Sequence, residues 1–274
     1  MDLAFETAWR FPRLRPEIVH GDALRELAKG LTGCLLPGTG FPAHPAAATR
    51  RLADVARAHG ARIEDGRRAT PELVGGRCVG ARGDDGVLHP AGAVLVAAGP
   101  WSSELIQPCG DWRPVSALWG VTVQIALPPG RVIHHRIEEW DDTGTEAELR
   151  SHIHFEVTPL DTMSVLGASR ATTVPDQAHI AEMLLERATR FVPAVASSMV
   201  TAVRLCARPV TPDALPLLGP VPEIEGLFVA AGHGPYGITL GPASGRIAAD
   251  AVLGKAPVPE QSVWIARDSR RRRH

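Results

Sequence analysis

The sequence predicts a mixed α/β (α+β) chain in which one domain is interrupted by an inserted, mainly antiparallel β-sheet. Three observations carry that expectation. Two short apolar runs, Val94-Leu-Val-Ala-Ala98 and Leu227-Phe-Val-Ala-Ala231, have the length and unbroken hydrophobicity of buried strands, and both stop at glycine. Between them, from Trp112 to about Arg204, longer segments alternate polar and apolar residues as half-exposed strands do. Apolar residues at helical spacing occupy three other segments, near 45–59, 176–191 and 239–253.

The chain has 274 residues and 45% hydrophobic content, enough for one large domain or two small ones. A net charge of −1 gives no reason to expect nucleic acid or an anionic membrane as the main partner. Cys34, Cys78, Cys109 and Cys206 are scattered without a C-x-x-C pair, as in a reduced protein rather than a disulfide framework. No apolar run reaches membrane-spanning length, and Met1 is followed by Asp2, Glu6 and Arg10 rather than by a signal sequence. The expected protein is soluble and cytoplasmic.

Residues 1–21 are irregular because Pro12 and Pro16 interrupt any helix, and Asp22 to Lys29 offers a short helical turn before Gly30. A turn-rich bridge, 33–42, then leads to a helix from Pro45 to His59, with Leu52, Val55 and Ala56 on one face and Arg50, Arg51, Asp54 and Arg57 mostly on the other. Ala61 to Glu64 reads as a short strand. Leu73 to Ala81 and Val87 to His89 read as a hairpin around Asp84-Asp-Gly86. Ala93 to Ala98 is a parallel-type strand ended by Gly99-Pro100, and Ser102 is placed to cap a following helix. The β-rich insert is expected to hold strands at 121–127, 131–140, 150–158 and 163–168, closed by a helix from Asp176 to Phe191. The chain returns through Val200 to Leu205.

Gly232-His-Gly-Pro-Tyr-Gly237 follows the second apolar run and precedes a helix over 239–253, whose stripe is Ile247, Ala248, Ala251 and Val252 and whose C-cap is Gly254. A strand, a glycine turn and a helix N-terminus make a site for a partly negative ligand atom, since free N–H groups and the positive dipole end converge there. The six residues spell G-x-G-x-x-G, but no second strand with an acidic residue follows before the chain reaches Gly254-Lys-Ala-Pro-Val-Pro259. The turn is therefore not a Rossmann opening.

Arg208-Pro-Val-Thr-Pro-Asp213, Pro216-Leu-Leu-Gly-Pro220, Gly226 to Gly234 and Gly241-Pro-Ala-Ser-Gly-Arg246 resemble the closing segment of the glycine oxidase/D-amino-acid oxidase family of flavoenzymes. Val94-Leu-Val-Ala-Ala-Gly-Pro-Trp-Ser103 resembles that family's strand and flavin-side loop. The resemblance spans most of residues 30–255, is specific at these two ends and is loose from about 112 to 200.

The resemblance implies an FAD-dependent oxidoreductase that moves a hydride from the carbon bearing nitrogen of a small amine or amino acid to flavin N5. It implies that Arg208 anchors the substrate carboxylate, a task suited to the planar guanidinium fork; the other reading of Arg208 is a tether paired with Asp213. Gly232, His233, Gly234, Pro235, Tyr236, Gly237, Ile238 and Thr239 match the family's loop over the pyrimidine edge of the flavin. Glycine oxidase places a second substrate-binding Arg in this loop, where this chain has Pro235 and Tyr236. Gly99 and Trp101, with Pro100, match the ribityl or ring side, and Ala69 matches a position on the adenine side. In monomeric sarcosine oxidases, similar in this region, a cysteine seven residues before the motif aspartate bonds the flavin covalently, and Cys206 stands seven before Asp213. Those enzymes lack an Arg where Arg208 stands, so Cys206 is read either as a flavin attachment point or as a small buried thiol.

His134, His135, His152, His154 and Glu156 invite a metal reading; alternation with Ile153, Phe155 and Val157 instead describes a half-buried strand, and no metal is expected. Asp141, Asp142, Glu146 and Glu148 read as a solvated loop, and Arg270 to His274 as a tail. The division expected is an FAD-binding portion at 46–111 and 207–258, a substrate-side domain at 1–45 and 112–206, and a tail at 259–274. The family's opening strand, G-x-G-x-x-G turn and helix have no match in residues 1–60. Three readings follow: a truncated or misassigned frame, a subunit completed by a separate nucleotide-binding chain, or a non-catalytic remnant. Without the pyrophosphate-binding helix, this chain alone is expected to retain FAD poorly and to expose apolar surface where Val94 to Ala98 lacks its strand neighbours.

Overall fold

The computed structural model describes residues 17–19, 34–36, 45–106, 113–134, 136–138, 153–160 and 162–255. The chain divides into two compact units, one of residues 1–45 and 119–206 and one of residues 46–118 and 207–274. In chain order the first elements are β1 (Glu17–Val19), β2 (Cys34–Leu36), α1 (Pro45–Ala58), β3 (Ala69–Val74), β4 (Arg77–Gly83), β5 (Leu88–Pro90), β6 (Val94–Val96) and α2 (Ser102–Leu105). There follow β7 (Ser116–Ala126), β8 (Ile137–Glu138), β9 (Ile153–Leu160), β10 (Met163–Ser169), α3 (Gln177–Phe191) and β11 (Met199–Val210). The last are β12 (Leu217–Pro220), β13 (Leu227–Ala231) and α4 (Gly237–Val252).

The first unit is built on a five-stranded sheet of order β11-β7-β10-β9-β8. β10 pairs antiparallel with both β7 and β9, and the register sets Leu166 opposite Val123 and opposite Val157. Period-two alternation therefore puts Val121, Val123, Ile125, Phe155, Val157 and Leu166 on one face, each no more than 1% exposed. Helix α3 covers that face with Ala181, Leu184 and Ala188, and Phe155 stacks on Phe191 with centroids 4.4 Å apart; of the stripe the sequence suggests, Ile180, Met183, Leu184 and Ala188, Met183 is instead 42% exposed. Asp176 caps α3 by accepting from the amides of Ala178 and His179 at 3.0 and 3.2 Å.

In the second unit β6 pairs parallel with β13, which pairs antiparallel with β12. A core of Cys78, Val96, Ile106, Val115, Leu217, Val221, Ile224, Leu227, Val229 and Ala231 packs against this sheet. The three-stranded β3-β4-β5 meander joins it through the amide of Cys78, which donates to the carbonyl of Glu225 at 2.8 Å.

Several elements depart from the sequence expectation for local reasons. Residues 61–64 form no strand: Ile63 is 38% exposed, its neighbours Arg62 and Glu64 pair with each other, and one apolar residue gives no face to bury. The segment expected as one strand over 73–81 is two, because Gly75 and Gly76, at φ +57° and +81°, turn the chain back after Val74. The 131–140 strand reduces, among the described residues, to Ile137–Glu138, because Pro128, Pro129 and Gly130 make a turn closed by the Arg131 amide on the Pro128 carbonyl at 3.1 Å. Ser102 lies inside α2 rather than capping it, and its cap position, Trp101, makes no side-chain bond. Helix α4 begins at Gly237 rather than at 239, and Gly254 turns its end at φ +67°. The 22–29 turn, the 139–152 loop with its four acids, His135, His152 and the 259–274 tail lie outside the described residues.

Asp176→Ala leaves two first-turn amides of α3 unpaired, so it is expected to cost about 1 kcal/mol. Chemical denaturation measures that loss, with faster hydrogen exchange at the Ala178 and His179 amides as its local signature.

Candidate functional site

Because β6 and β13 are parallel neighbours, with Val96 opposite Val229, their carboxyl ends leave the sheet at the same edge. In open parallel sheets that edge is where ligands bind. From β13 the chain passes through Gly232 and His233 into a 3₁₀ turn, Gly234–Tyr236, and then into the sixteen-residue α4. From β6 it passes into a second 3₁₀ turn, Gly99–Trp101, and then α2.

The R-P-V-T-P-D segment meets the first of these exits directly. Gly232 sits at φ +83°, and a Cβ placed on it would lie 2.5 Å from the Cγ2 methyl of Thr211. Only glycine permits both that backbone and that approach. Thr211 is 8% exposed, and its hydroxyl donates to the Leu215 carbonyl at 2.8 Å. Asp213 accepts from the Leu215 amide at 3.2 Å, an Asx turn that folds the loop on itself before β12 begins. Arg208 stands half-buried three residues before Thr211, near the end of β11. Three extended residues span about 10 Å, so the Arg208 backbone lies within that distance of Thr211.

His233 turns inward. Its Nε2 lies 2.8 Å from Ser244 Oγ, a hydroxyl 6% exposed on α4, and burial pushes the imidazole below its ordinary pKa. The ring thus ties the turn to its own helix in the neutral form, and what the turn offers a ligand is backbone. Among the described residues no side chain caps the N-terminus of α4, and Pro235, Tyr236, Gly237, Ile238 and Thr239 are exposed. Free amides at the positive end of a four-turn helix suit a ligand atom that gains negative charge. A Cβ on Gly99 or Gly234 would meet nothing within 4 Å, so both turns leave open space in front of their backbone. This donor set and this room fit the pyrimidine side of a flavin ring. Ser102 Oγ, buried at the foot of the second turn, has no hydrogen-bond partner among the described residues.

The remaining expected residues are dispersed. Ala69 opens β3 in the separate meander of the same unit, and it is exposed. Cys206 is exposed on β11, which corrects the reading of it as a buried thiol. His154 lies on the sheet face opposite the first unit's core, with Nε2 3.2 Å from Glu138 Oε1, while Arg136 Nε donates to Glu156 Oε1 at 3.1 Å. The His154 imidazole and the Arg136 guanidinium hold Glu138 below the usual carboxylate range. These groups satisfy one another, and no cluster of three potential ligands for a metal occurs among the described residues. Thr211 and Ser244 were inside quoted motifs, yet their roles depend on contacts across 21 and 11 residues that no spacing rule reveals.

Comparison with known proteins converges on one family. The profile of the DAO family, described as FAD dependent oxidoreductase, matches residues 3–251. A glycine oxidase of Pseudomonas aeruginosa is 30% identical over 194 residues, 67% of this chain and 48% of that protein. A D-amino acid dehydrogenase of Methylobacterium nodulans is 31% identical over 66% of this chain and 41% of its own length. The crystal structure of glycine oxidase from Geobacillus kaustophilus superimposes with a TM-score of 0.77 at 26% identity, covering 96% of this chain and 69% of that one. The chain spans about half the length of the curated relatives it matches.

Gly232→Ala combines left-handed backbone strain with a clash against Thr211, an expected loss of about 2–4 kcal/mol. Adding Thr211→Ser, which removes the clashing methyl, is expected to restore part of it, and denaturation of the single and double variants reads the coupling. His233 contributes in the opposite sense to a salt-bridged histidine. Its folded pKa is lowered, so its stabilisation is complete above the ordinary imidazole value of 6.5 and is lost as pH falls through the depressed one. Urea midpoints are expected to fall between pH 7 and pH 5 in the wild type, and to fall less in His233→Gln.

Proposed function

We propose, for a chain that belongs to the DAO family of FAD-dependent oxidoreductases, that it acts on a small amine or amino acid whose carboxylate is held by Arg208. The observation that carries this is the contact of Thr211 with Gly232, which fastens the Arg208 segment to the glycine hinge. Residues 46–111 and 207–258 are read as the flavin-holding portion and 112–206, with 1–45, as the substrate side. When bound, FAD supplies the hydride acceptor, and dioxygen or another acceptor reoxidises it.

The protein's own residues bind and orient. Arg208 grips a carboxylate through two parallel charge-assisted bonds and so fixes the reacting carbon. The turn of Gly232, His233, Gly234, Pro235, Tyr236, Gly237, Ile238 and Thr239 would hold the pyrimidine edge of the flavin through the free backbone amides at the start of α4, Gly99 and Trp101 would hold the ribityl or ring side, and Ala69 the adenine side. Cys206, being exposed on β11, is accessible for covalent attachment. No residue of the site is assigned as a general base. No described helix is long and apolar enough to cross a membrane, and we read the protein as a cytoplasmic enzyme.

A second reading rests on β6. It is the terminal strand of the β12-β13-β6 sheet, and Leu95 on it is 40% exposed. A further parallel strand would complete that edge, from the same polypeptide or from a separate nucleotide-binding chain, in which case this chain is a subunit or a non-catalytic remnant.

Anaerobic mixing of the FAD-loaded protein with carboxylated amines is expected to bleach the flavin's visible absorbance. Arg208→Ala is expected to raise the Michaelis constant about ten- to a hundredfold, the worth of one charge-assisted anchor. Bound flavin that no carboxylated amine bleaches, or an unchanged Michaelis constant, overturns the assignment. Flavin retained only when a nucleotide-binding chain is added favours the second reading.

A further inference from the structure

The four side chains that pair on the uncovered face of the first unit's sheet leave one atom over. Glu138 spends both carboxylate oxygens, Oε1 on His154 Nε2 at 3.2 Å and Oε2 on Arg136 Nη1 at 2.6 Å. Glu156 spends one. Its Oε1 accepts from Arg136 Nε at 3.1 Å and from the Thr158 hydroxyl at 3.4 Å, while its Oε2 accepts no hydrogen bond among the described residues. The Glu156 side chain is 28% exposed, so it has given up part of its hydration and holds donors on one side only.

The strand register shows what lies under that oxygen. Glu138 pairs with Glu156 and Glu156 with Gly167, and one step beyond the Val123–Leu166 pair sets Thr122 opposite Gly167. These four residues form a row across β8, β9, β10 and β7, and Gly167 within it has no side chain. A Cβ built there would meet the Thr122 methyl and Glu156 Cβ at 3.9 Å and Glu156 Oε2 at 4.0 Å, ordinary contact distances. Gly167 is not in the left-handed region either, so neither backbone nor packing demands a glycine. What its absence of side chain provides is a notch between Thr122 and Glu156, with the unpartnered oxygen on its rim. Arg136 is the one permanent cation in this network against two carboxylates, and β7, β9 and β10 carry no Lys or Arg. The complement of such a notch is a cation with an N–H to donate.

We infer that the notch over Gly167 binds a primary ammonium group, which donates to Glu156 Oε2. Assigning that group to the substrate rests on the reading of 112–206 as the substrate side. A carboxylate keeps the nitrogen it holds protonated, whereas the nitrogen on the reacting carbon must become an imine. The ammonium in the notch is therefore a second, non-reacting one, and the substrate class is a diamine or a basic amino acid.

Ethylammonium and tetramethylammonium, equal in charge but not in N–H, test the notch by NMR titration of the full chain at constant ionic strength, read at the Thr122 and Gly167 amides. Ethylammonium is expected to bind about tenfold tighter, the scale of one charge-assisted hydrogen bond. Glu156→Gln is expected to bring the two affinities together. Gly167→Ala fills the notch with a methyl that displaces no neighbour, so it is expected to keep the denaturation midpoint and lose ethylammonium. Equal binding of the two cations, binding of neither, or ethylammonium affinity that survives either substitution overturns the notch; if Gly167→Ala unfolds the chain, Glu156→Gln decides. In the FAD-loaded protein lysine is expected to show a Michaelis constant about tenfold below that of norleucine, its analogue without the terminal nitrogen, and Glu156→Gln to remove the difference. Equal constants in the wild type overturn the assignment to the substrate. None of these outcomes decides the Arg208 anchor, which is read from flavin bleaching and the effect of Arg208→Ala.

Discussion

The approach of the Thr211 methyl to the backbone of Gly232 is the constraint from which the site follows. On one side of that contact, the Thr211 hydroxyl and the Asp213 carboxylate close the loop that follows β11, the strand on which Arg208 stands. On the other, β13 ends and the chain must leave the sheet in a left-handed conformation. A side chain at position 232 would push the two apart. Without one, the chain just beyond Arg208 packs against the turn that leads into α4.

The site is made mainly of backbone. His233, the residue that looks most like chemistry, spends its imidazole on Ser244, and burial keeps it neutral. That bond anchors the turn to α4, the helix whose uncapped N-terminus the turn introduces. A donor array of this kind needs no proton to be placed or removed. In the proposed function it acts through dipoles that the fold has oriented before any ligand arrives.

Most of this was legible in the residues. The strands, the hinge and part of the α3 stripe follow from period and glycine placement, and Leu227–Ala231 is found with the bounds its apolar run gives, whereas Val94–Val96 is shorter than its run and Leu95 on it is 40% exposed. The errors have a common cause. Gly75-Gly76 is a hairpin signal that a run of apolar neighbours obscured, and Pro128-Pro129-Gly130 is a break that the alternation after it obscured. Ile63 carried a strand assignment alone, although a strand needs a partner with a matching face. Contacts across the chain, Thr211 with Gly232 and His233 with Ser244, have no periodic signature, because they are set by how the loop folds onto the sheet.

The two Gly-Pro-aromatic turns bear on how such a site is specialised. If backbone supplies the charge stabilisation, the side chains of the same turns are free to vary without dismantling it. Proline fixes φ and glycine takes the left-handed step, so each turn holds its shape whatever ring follows. A change of side chain at Trp101 or Tyr236 therefore leaves the backbone of both turns as it is. Pro235 and Tyr236 stand where, by resemblance, glycine oxidase has a second arginine, so in the proposed function Arg208 alone holds the acid of the substrate.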